Sequence, residues 1–160
     1  MKILIVYYSR TGITGEIARS IQQELGGDLE ELQDTRDRSG ILGYLRSGLE
    51  ATLKKQAKLK EVKKDPGQYD LVIIGTPVWS HTISTPVRAY LVRYRKSIKA
   101  AAYFATCGST GIRQTLREME GLVKVKPRAL LEIKKADIKS EGHREKVKLF
   151  TLELQYATGR

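Results

Sequence analysis

Three hydroxyl residues and one arginine lie within six residues, directly after the first apolar run of the chain. The run from Lys2 to Tyr8 is typical of a strand buried on both faces, and a helical repeat of apolar residues begins at Ile17. Between them lie Ser9, Arg10, Thr11, Gly12, Ile13 and Thr14. A loop that enters a helix N-terminus offers unpaired N–H groups, and together with the hydroxyls they indicate a site for a phosphate monoester. The alternative is that the hydroxyls only cap the helix.

Two further loops with glycine, hydroxyl or aromatic residues follow apolar strands. The strand predicted from Tyr69 to Gly75 leads into Thr76, Pro77, Val78, Trp79, Ser80 and His81. The strand predicted from Ala100 to Thr106 leads into Cys107, Gly108, Ser109, Thr110 and Gly111. Ligands of parallel sheets bind outside the carboxyl ends of the strands, so the three loops are expected to converge on one site.

Strand-like and helix-like segments alternate along the 160 residues. A weak strand is predicted at 28–33 and a fourth buried strand at 127–133, and helices are predicted after Gly40, from Thr85 to about Arg95, after Gly111 and from about Ser140. In the segment after Gly40, apolar residues recur every four positions and form one helical stripe, comprising Ile41, Leu45, Leu49 and Leu53. The alternation predicts one α/β domain over residues 1–160, with helices on both faces of a parallel sheet.

The cysteine content and the lengths of the apolar runs bear on the compartment in which the protein is expected. The single cysteine, Cys107, cannot form an intrachain disulfide, and neither a leader nor an apolar run long enough to span a bilayer is evident in the sequence. We therefore predict a cytoplasmic protein without a membrane span.

The net charge of +11 is unevenly distributed. Residues 1–50 contain six Lys or Arg and eight Asp or Glu, which gives a net charge of −2. Residues 51–160 contain 23 Lys or Arg and 10 Asp or Glu, which gives a net charge of +13. Such a field can attract nucleic acid, an anionic membrane or an acidic protein. The alternative is a solvated, highly soluble surface without a partner.

Several site classes do not fit the loops. The first loop contains only Gly12, so it lacks both the Gly-x-Gly-x-x-Gly pattern of dinucleotide sites and the Gly-Lys-Ser/Thr pattern of P-loops. The first strand ends in Tyr7 and Tyr8 instead of the acidic cluster of a phosphorelay receiver. Cys107 lies in the wrong loop for a cysteine phosphatase, and two distant histidines do not indicate a metal site.

In order and spacing, the three loops resemble those of the flavodoxin family across essentially the whole chain, and the second loop resembles short members that read Gly-Thr-Pro-x-Trp. The resemblance implies a three-layer sandwich with a five-stranded parallel sheet of order 2-1-3-4-5 and FMN at the switch point between the first and third strands. It implies that residues 9–14 contact the phosphate, that Thr76 to Trp79 lie along the isoalloxazine, and that the Thr106–Gly111 loop lies near its pyrimidine edge. No catalytic residue and no metal ligand are implied.

Two departures from the family pattern leave the function open. The third loop contains no Tyr to cover the second flavin face, so that face is open to a nicotinamide or quinone unless Tyr44 or a second subunit covers it. His81 is a candidate proton donor beside the flavin, or simply a solvent-facing loop residue. The basic charge, unusual for this family, predicts an acidic partner such as a ferredoxin or flavoenzyme.

Three functional hypotheses follow from these features. The first is an FMN-binding electron-transfer protein, which we prefer. The second is an FMN-dependent NAD(P)H:quinone oxidoreductase, and it ranks lower because no residue set identifies a nicotinamide site. The third is a basic module that binds nucleic acid or membrane without flavin. It is disfavoured because aromatic and basic residues do not alternate on one predicted face, so no specific nucleic-acid binding is predicted.

Overall fold

The computed structural model describes residues 1–38 and 40–157. The strands are β1 (Ile3–Tyr7), β2 (Asp28–Glu31), β3 (Leu71–Trp79), β4 (Thr82–Ile83), β5 (Ala101–Cys107) and β6 (Leu130–Lys134). The helices are α1 (Ile13–Leu25), α2 (Gly40–Thr52), α3 (Thr85–Tyr94), α4 (Ile112–Val123), α5 (Lys135–Lys139) and α6 (His143–Ala157).

Within the described residues, five strands form a parallel sheet in the order β2-β1-β3-β5-β6. The short strand β4 pairs antiparallel with the end of β3. When only the parallel strands are counted, the order is the predicted 2-1-3-4-5, and the predicted fold class is confirmed. The chain reverses direction across the sheet between β1 and β3, which is where such sheets bind ligands.

Both faces of the sheet are covered because successive strand residues point to opposite sides. In β1, Leu4 and Val6 join the cluster on the side of α3 and α4, whereas Ile3 and Ile5 join the cluster on the side of α1 and α6. The four residues are at most 4% exposed. A fully apolar strand is therefore what a sheet between two helical layers requires.

Strand β3 differs from the prediction because it continues through the segment predicted as a loop, Thr76 to Trp79. Pro77 is paired with Thr106 at the last position of the ladder with β5. Beyond it, Val78 and Trp79 pair with β4 through a two-residue turn in which Ser80 and His81 have φ values of 49° and 63°. The second loop is thus the end of a strand and a tight hairpin.

The C-terminal helix is also divided differently from the prediction. Ser140 ends the short helix α5, and the long helix α6 begins at His143. Val147, Phe150 and Leu154 are buried on α6 as the spacing predicts, whereas Ala157 is exposed.

Helix α2 forms as the spacing of its apolar residues predicts, but the apolar stripe faces outward. The residues that it buries are Ser47, Glu50 and Ala51. Ile41, Leu45, Leu49 and Leu53 are instead between 57% and 80% exposed. Spacing alone defines a stripe without saying which side of the helix the domain covers, so the orientation of α2 is a result of the tertiary structure.

Candidate functional site

A cavity of about 380 Å³ opens at the carboxyl edge of the sheet. It lies where the strands β1, β3, β5 and β6 end, and all three predicted loops contribute to it. Its lining comprises Arg10, Thr11, Ile13, Thr14, Tyr44, Pro77, Val78, Trp79, Thr106, Cys107, Gly108, Ile133, Lys134 and Lys135. Ten of the fourteen residues singled out from the sequence therefore line one cavity.

The first loop presents the N-terminus of α1 to this cavity. Gly12 precedes the helix with φ of 93°, a left-handed conformation that favours glycine, and no side chain among the described residues caps the helix. The Gly12 N–H donates to Ser9 Oγ at 3.1 Å, which closes the loop on itself. The first-turn N–H groups and the dipole of a 13-residue helix are therefore available for an anion.

One buried hydrogen bond joins the first loop to the third. The hydroxyls of Thr14 and Thr106 are 2.8 Å apart, and either can donate. The two residues are 2% and 6% exposed. The bond holds the first turn of α1 against the end of β5, so the two loops keep a common geometry around the cavity.

Trp79 is both a wall of the cavity and a part of the core. Its side chain is 7% exposed and packs edge-on against Tyr8, with ring centroids 5.5 Å apart. The Arg38 guanidinium lies 5.4 Å from the centroid of its ring. The indole is therefore held from behind, and only a small part of it is available to a ligand.

Four predicted residues do not line the cavity. Ser9 and Gly12 shape the first loop from behind, as described above. Thr76 is fully buried, and its hydroxyl donates to Ser84 Oγ at 3.0 Å. Gly111 lines a neighbouring cavity of about 410 Å³ together with His81, whose Nε2 lies 2.9 Å from Thr110 Oγ1.

The structure adds residues that the loops alone did not indicate. Ligands of parallel sheets bind outside the carboxyl ends of the strands, and β6 also ends at this edge. The same rule therefore accounts for three lining residues at the end of β6: Ile133, Lys134 and Lys135. Tyr44, on α2, contacts the first loop through its ring, which lies 4.9 Å from the Arg10 guanidinium carbon. The sequence offered Tyr44 only as one possible cover for the open flavin face, because α2 is separated from the first loop by the whole of α1 and β2.

Cys107 lies at the cavity wall and is half-buried. Burial raises the pKa of its thiol above the ordinary value, although a backbone hydrogen bond at Ser109 and the charge of Lys134 act in the opposite direction. A raised pKa disfavours the reactive thiolate. Cys107 is therefore better described as a small wall residue of the cavity than as a reactive thiol.

A second cavity of about 240 Å³ adjoins the first. It shares Tyr44, Val78 and Trp79 with the first cavity. Leu45, Ser47, Gly48, Leu49, Thr52 and Ser80 complete its lining. This lining holds no charged side chain, whereas Arg10, Lys134 and Lys135 line the first cavity. The first cavity therefore suits an anionic ligand, and the second suits an uncharged one.

A buried ion-pair network fixes α2 beside both cavities. Arg38, which is 5% exposed, pairs with Asp34 at 2.5 Å and with Glu50 at 2.9 Å. Glu50 also forms ion pairs with Arg36 at 3.1 Å and with Arg46 at 3.0 Å. Because Glu50 is on the inner face of α2, its pairs with Arg36 and Arg38 attach the helix to the segment after β2.

This network predicts an acid-sensitive contribution to stability. Burial raises the pKa of Glu50, but hydrogen bonds from Arg46 and Arg38 outweigh burial, and the pKa lies below the ordinary 4.5. A lowered folded-state pKa stabilises the fold above the unfolded value, and this contribution is lost as the pH falls from about 4.5 through the folded pKa. We expect Glu50→Gln to reduce stability at pH 7 and to show a smaller further loss on acidification than the parent.

Urea unfolding at a series of pH values measures this effect. Glu153→Gln, at an exposed position on α6, is the control and should follow the parent curve. Equal acid losses in the parent and in Glu50→Gln would contradict the role given to the network.

The described residues contain no helix long and apolar enough to cross a membrane. They also contain no group of three or more His, Cys, Asp or Glu side chains placed to hold a metal ion.

Similar structures are flavoproteins of the same architecture. A flavoprotein from Lactobacillus acidophilus in complex with FMN is 24% identical, with a TM-score of 0.69 over 88% of this chain and 97% of that chain. Flavodoxin 2 from Bacillus cereus is 18% identical, with a TM-score of 0.63 over 96% and 97%. General stress protein 14 from Treponema denticola in complex with FMN is 13% identical, with a TM-score of 0.61 over 98% and 99%.

A search of curated protein sequences found no match. The family model for flavodoxin, in contrast, matches residues 2–142. That match covers the three loops and all of the parallel strands, and the resemblance seen in the sequence is confirmed at the level of the family. The chain belongs to the flavodoxin family.

Proposed function

We propose that this chain binds FMN non-covalently in the cavity at the carboxyl edge of the sheet and transfers electrons through the bound flavin. One observation carries the proposal: a single cavity combines the uncapped N-terminus of α1 with an apolar wall made of Val78 and the small accessible part of Trp79. The first suits a phosphate, and the second suits the face of an aromatic ring. FMN contains both groups.

The donor set fits FMN at each part of the cavity. The phosphate would be held by residues 9–14, where N–H groups, hydroxyls and the Arg10 guanidinium are close together. The ring would lie along Thr76–Trp79, and the backbone at Thr106, Cys107 and Gly108 would face its pyrimidine edge. The similar structures from Lactobacillus acidophilus and Treponema denticola, which contain FMN, support FMN as the cofactor.

When bound, FMN supplies the electron-accepting and electron-donating chemistry. The residues of the chain position and shield it. The hydrogen bond between Thr14 and Thr106 holds the phosphate loop to the third loop, and Tyr8 and Arg38 hold Trp79 in place. With a net charge of +11, we expect an acidic protein as electron donor or acceptor.

The second candidate function is an FMN-dependent NAD(P)H:quinone oxidoreductase. The uncharged cavity of about 240 Å³ favours it, because a small apolar acceptor could bind beside the flavin site. It ranks second because the described residues contain no set that identifies a nicotinamide site.

An FMN titration followed by rapid mixing with NADPH tests the proposal. We expect one FMN per chain and a yellow complex that survives gel filtration. NADPH should leave the flavin oxidised on the time scale on which dithionite reduces it fully. Rapid bleaching by NADPH would favour the reductase, and absence of a flavin complex would overturn both functions.

A further inference from the structure

The outward face of α2 carries an apolar surface that the domain does not cover. Four aliphatic side chains on this face and a fifth directly after the helix are between 57% and 83% exposed, and we name them the α2 ridge: Ile41, Leu42, Leu45, Leu49 and Leu53. Together they expose on the order of several hundred Å² of apolar surface, which in a monomer marks an interaction site.

The ridge cannot turn inward. Glu50 lies on the opposite side of α2, where Arg36, Arg38 and Arg46 hold it at 2.9 to 3.1 Å. Rotating the helix to bury the leucines would separate this mostly buried carboxylate from Arg36 and Arg38, which precede the helix, and that is strongly unfavourable. The exposure of the ridge is therefore built into the fold.

The ridge lies beside the proposed flavin site. Leu45 and Leu49 line the second cavity together with Trp79. Tyr44, on the same helix, lines both cavities and contacts Arg10 of the first loop. A molecule seated on the ridge would therefore be next to the flavin, where electrons enter or leave.

Cations surround the ridge. Residues 36–58 contain six Lys or Arg and two Asp or Glu. One of the six cations is buried. Arg46 and Lys54 are 60% and 69% exposed, whereas the carboxylates that they pair with, Glu50 and Glu118, are mostly buried, so the surface presents mainly the cations. A second copy packed symmetrically on the ridge would bring equal cations face to face. An acidic surface is complementary to them.

The shape of this surface favours a protein over a lipid bilayer. Leu45 and Leu49 line a cavity of about 240 Å³, so the surface has a recess beside its exposed side chains. Protein side chains can fill such a recess, and binding energy in protein interfaces concentrates at filled pockets of this kind.

We propose that the α2 ridge is the docking surface for an acidic one-electron carrier protein that has an apolar patch surrounded by carboxylates. This inference rests on the proposed function. At each encounter the reduced carrier loses one electron and the flavin gains it. Two encounters and two protons from solvent complete the reduction of FMN.

Stopped-flow mixing of the FMN-loaded protein with a reduced, acidic plant-type [2Fe–2S] ferredoxin as the probe tests the inference. The variant is Leu45→Ser with Leu49→Ser. The matched control is Leu149→Ser with Leu152→Ser, which removes two exposed leucines from α6 on the opposite face of the sheet. Dithionite, a small reductant, reports flavin access without protein docking.

We expect ferredoxin to reduce the flavin of the ridge variant about tenfold more slowly than that of the parent. Added salt should slow the reduction of the parent by ferredoxin. The dithionite rate and the FMN affinity of the ridge variant should equal those of the parent, and the control should match the parent throughout. An unchanged ferredoxin rate would overturn the inference. So would a parent dimer that the ridge substitutions dissociate, or ridge-dependent binding to phosphatidylglycerol vesicles.

The FMN titration separates failure of this inference from failure of the proposed function. If the parent binds no FMN, the proposed function fails. Calorimetry of ferredoxin with the flavin-free protein then still tests the ridge, because the five ridge residues do not line the proposed flavin cavity.

Discussion

We expect Thr11→Glu to weaken FMN binding by about 100-fold, equivalent to losing about two charge-assisted hydrogen bonds. Thr11 lines the cavity beside the uncapped N-terminus of α1, and its side chain is exposed. A carboxylate there would repel the phosphate and occupy the N–H groups that should bind it. Riboflavin has no phosphate, so its affinity should change by less than about threefold.

Thr11→Gln is the matched control, because it has the size of glutamate without the charge. It should lose much less FMN affinity than Thr11→Glu. Quenching of flavin fluorescence during titration measures the affinity of the parent and of both variants for FMN and for riboflavin. Equal losses for FMN and riboflavin would show that the phosphate does not bind at this loop.

The largest effect on stability is expected for Gly75→Ala, which should lower the free energy of unfolding by about 3 kcal/mol or more. Gly75 pairs with Phe104 across β3 and β5. A Cβ on Gly75 would lie 1.9 Å from Phe104 Cζ, and Phe104 is fully buried between packed neighbours. Relief requires the ring or one of the two central strands to move.

Gly121→Ala is the control for this substitution. Gly121 is within α4, and no described residue outside its own stretch of helix lies within 4 Å of the position that a Cβ would take. Alanine is the better helix former, so this variant should gain up to about 1 kcal/mol. Urea unfolding of both variants measures the contrast, and a neutral Gly75→Ala would mean that the core at β5 is loosely packed.

The three loops could be predicted because their signals are local. An apolar run followed by glycine and hydroxyl residues identifies the end of a buried strand wherever it occurs in the chain. The topology of parallel sheets then brings such ends to one edge. Ile133, Lys134 and Lys135 were not predicted although the same rule applies to them, because their strand ends in lysine without a glycine or hydroxyl residue.

The end of β3 could not be predicted from local pattern. Proline cannot donate a hydrogen bond to a strand ladder, so Pro77 is a local signal against continuing the strand beyond Gly75. At the last position of the ladder this loss has little consequence, and β4 then pairs with Val78 and Trp79. Only the partner strands decide whether the segment is extended.

By itself the sequence determined the alternation of strands and helices, the parallel sheet and the loop that can receive a phosphate, since these depend on periodicity, turn residues and helix ends. The tertiary structure alone decided that Tyr44 reaches the cavity and that the leucines of α2 face outward. The physical reason is that the sequence pattern shows which side of a helix is apolar, but not which side the rest of the domain covers. Which side is covered depends on partners outside the helix, here Arg36 and Arg38, which hold Glu50.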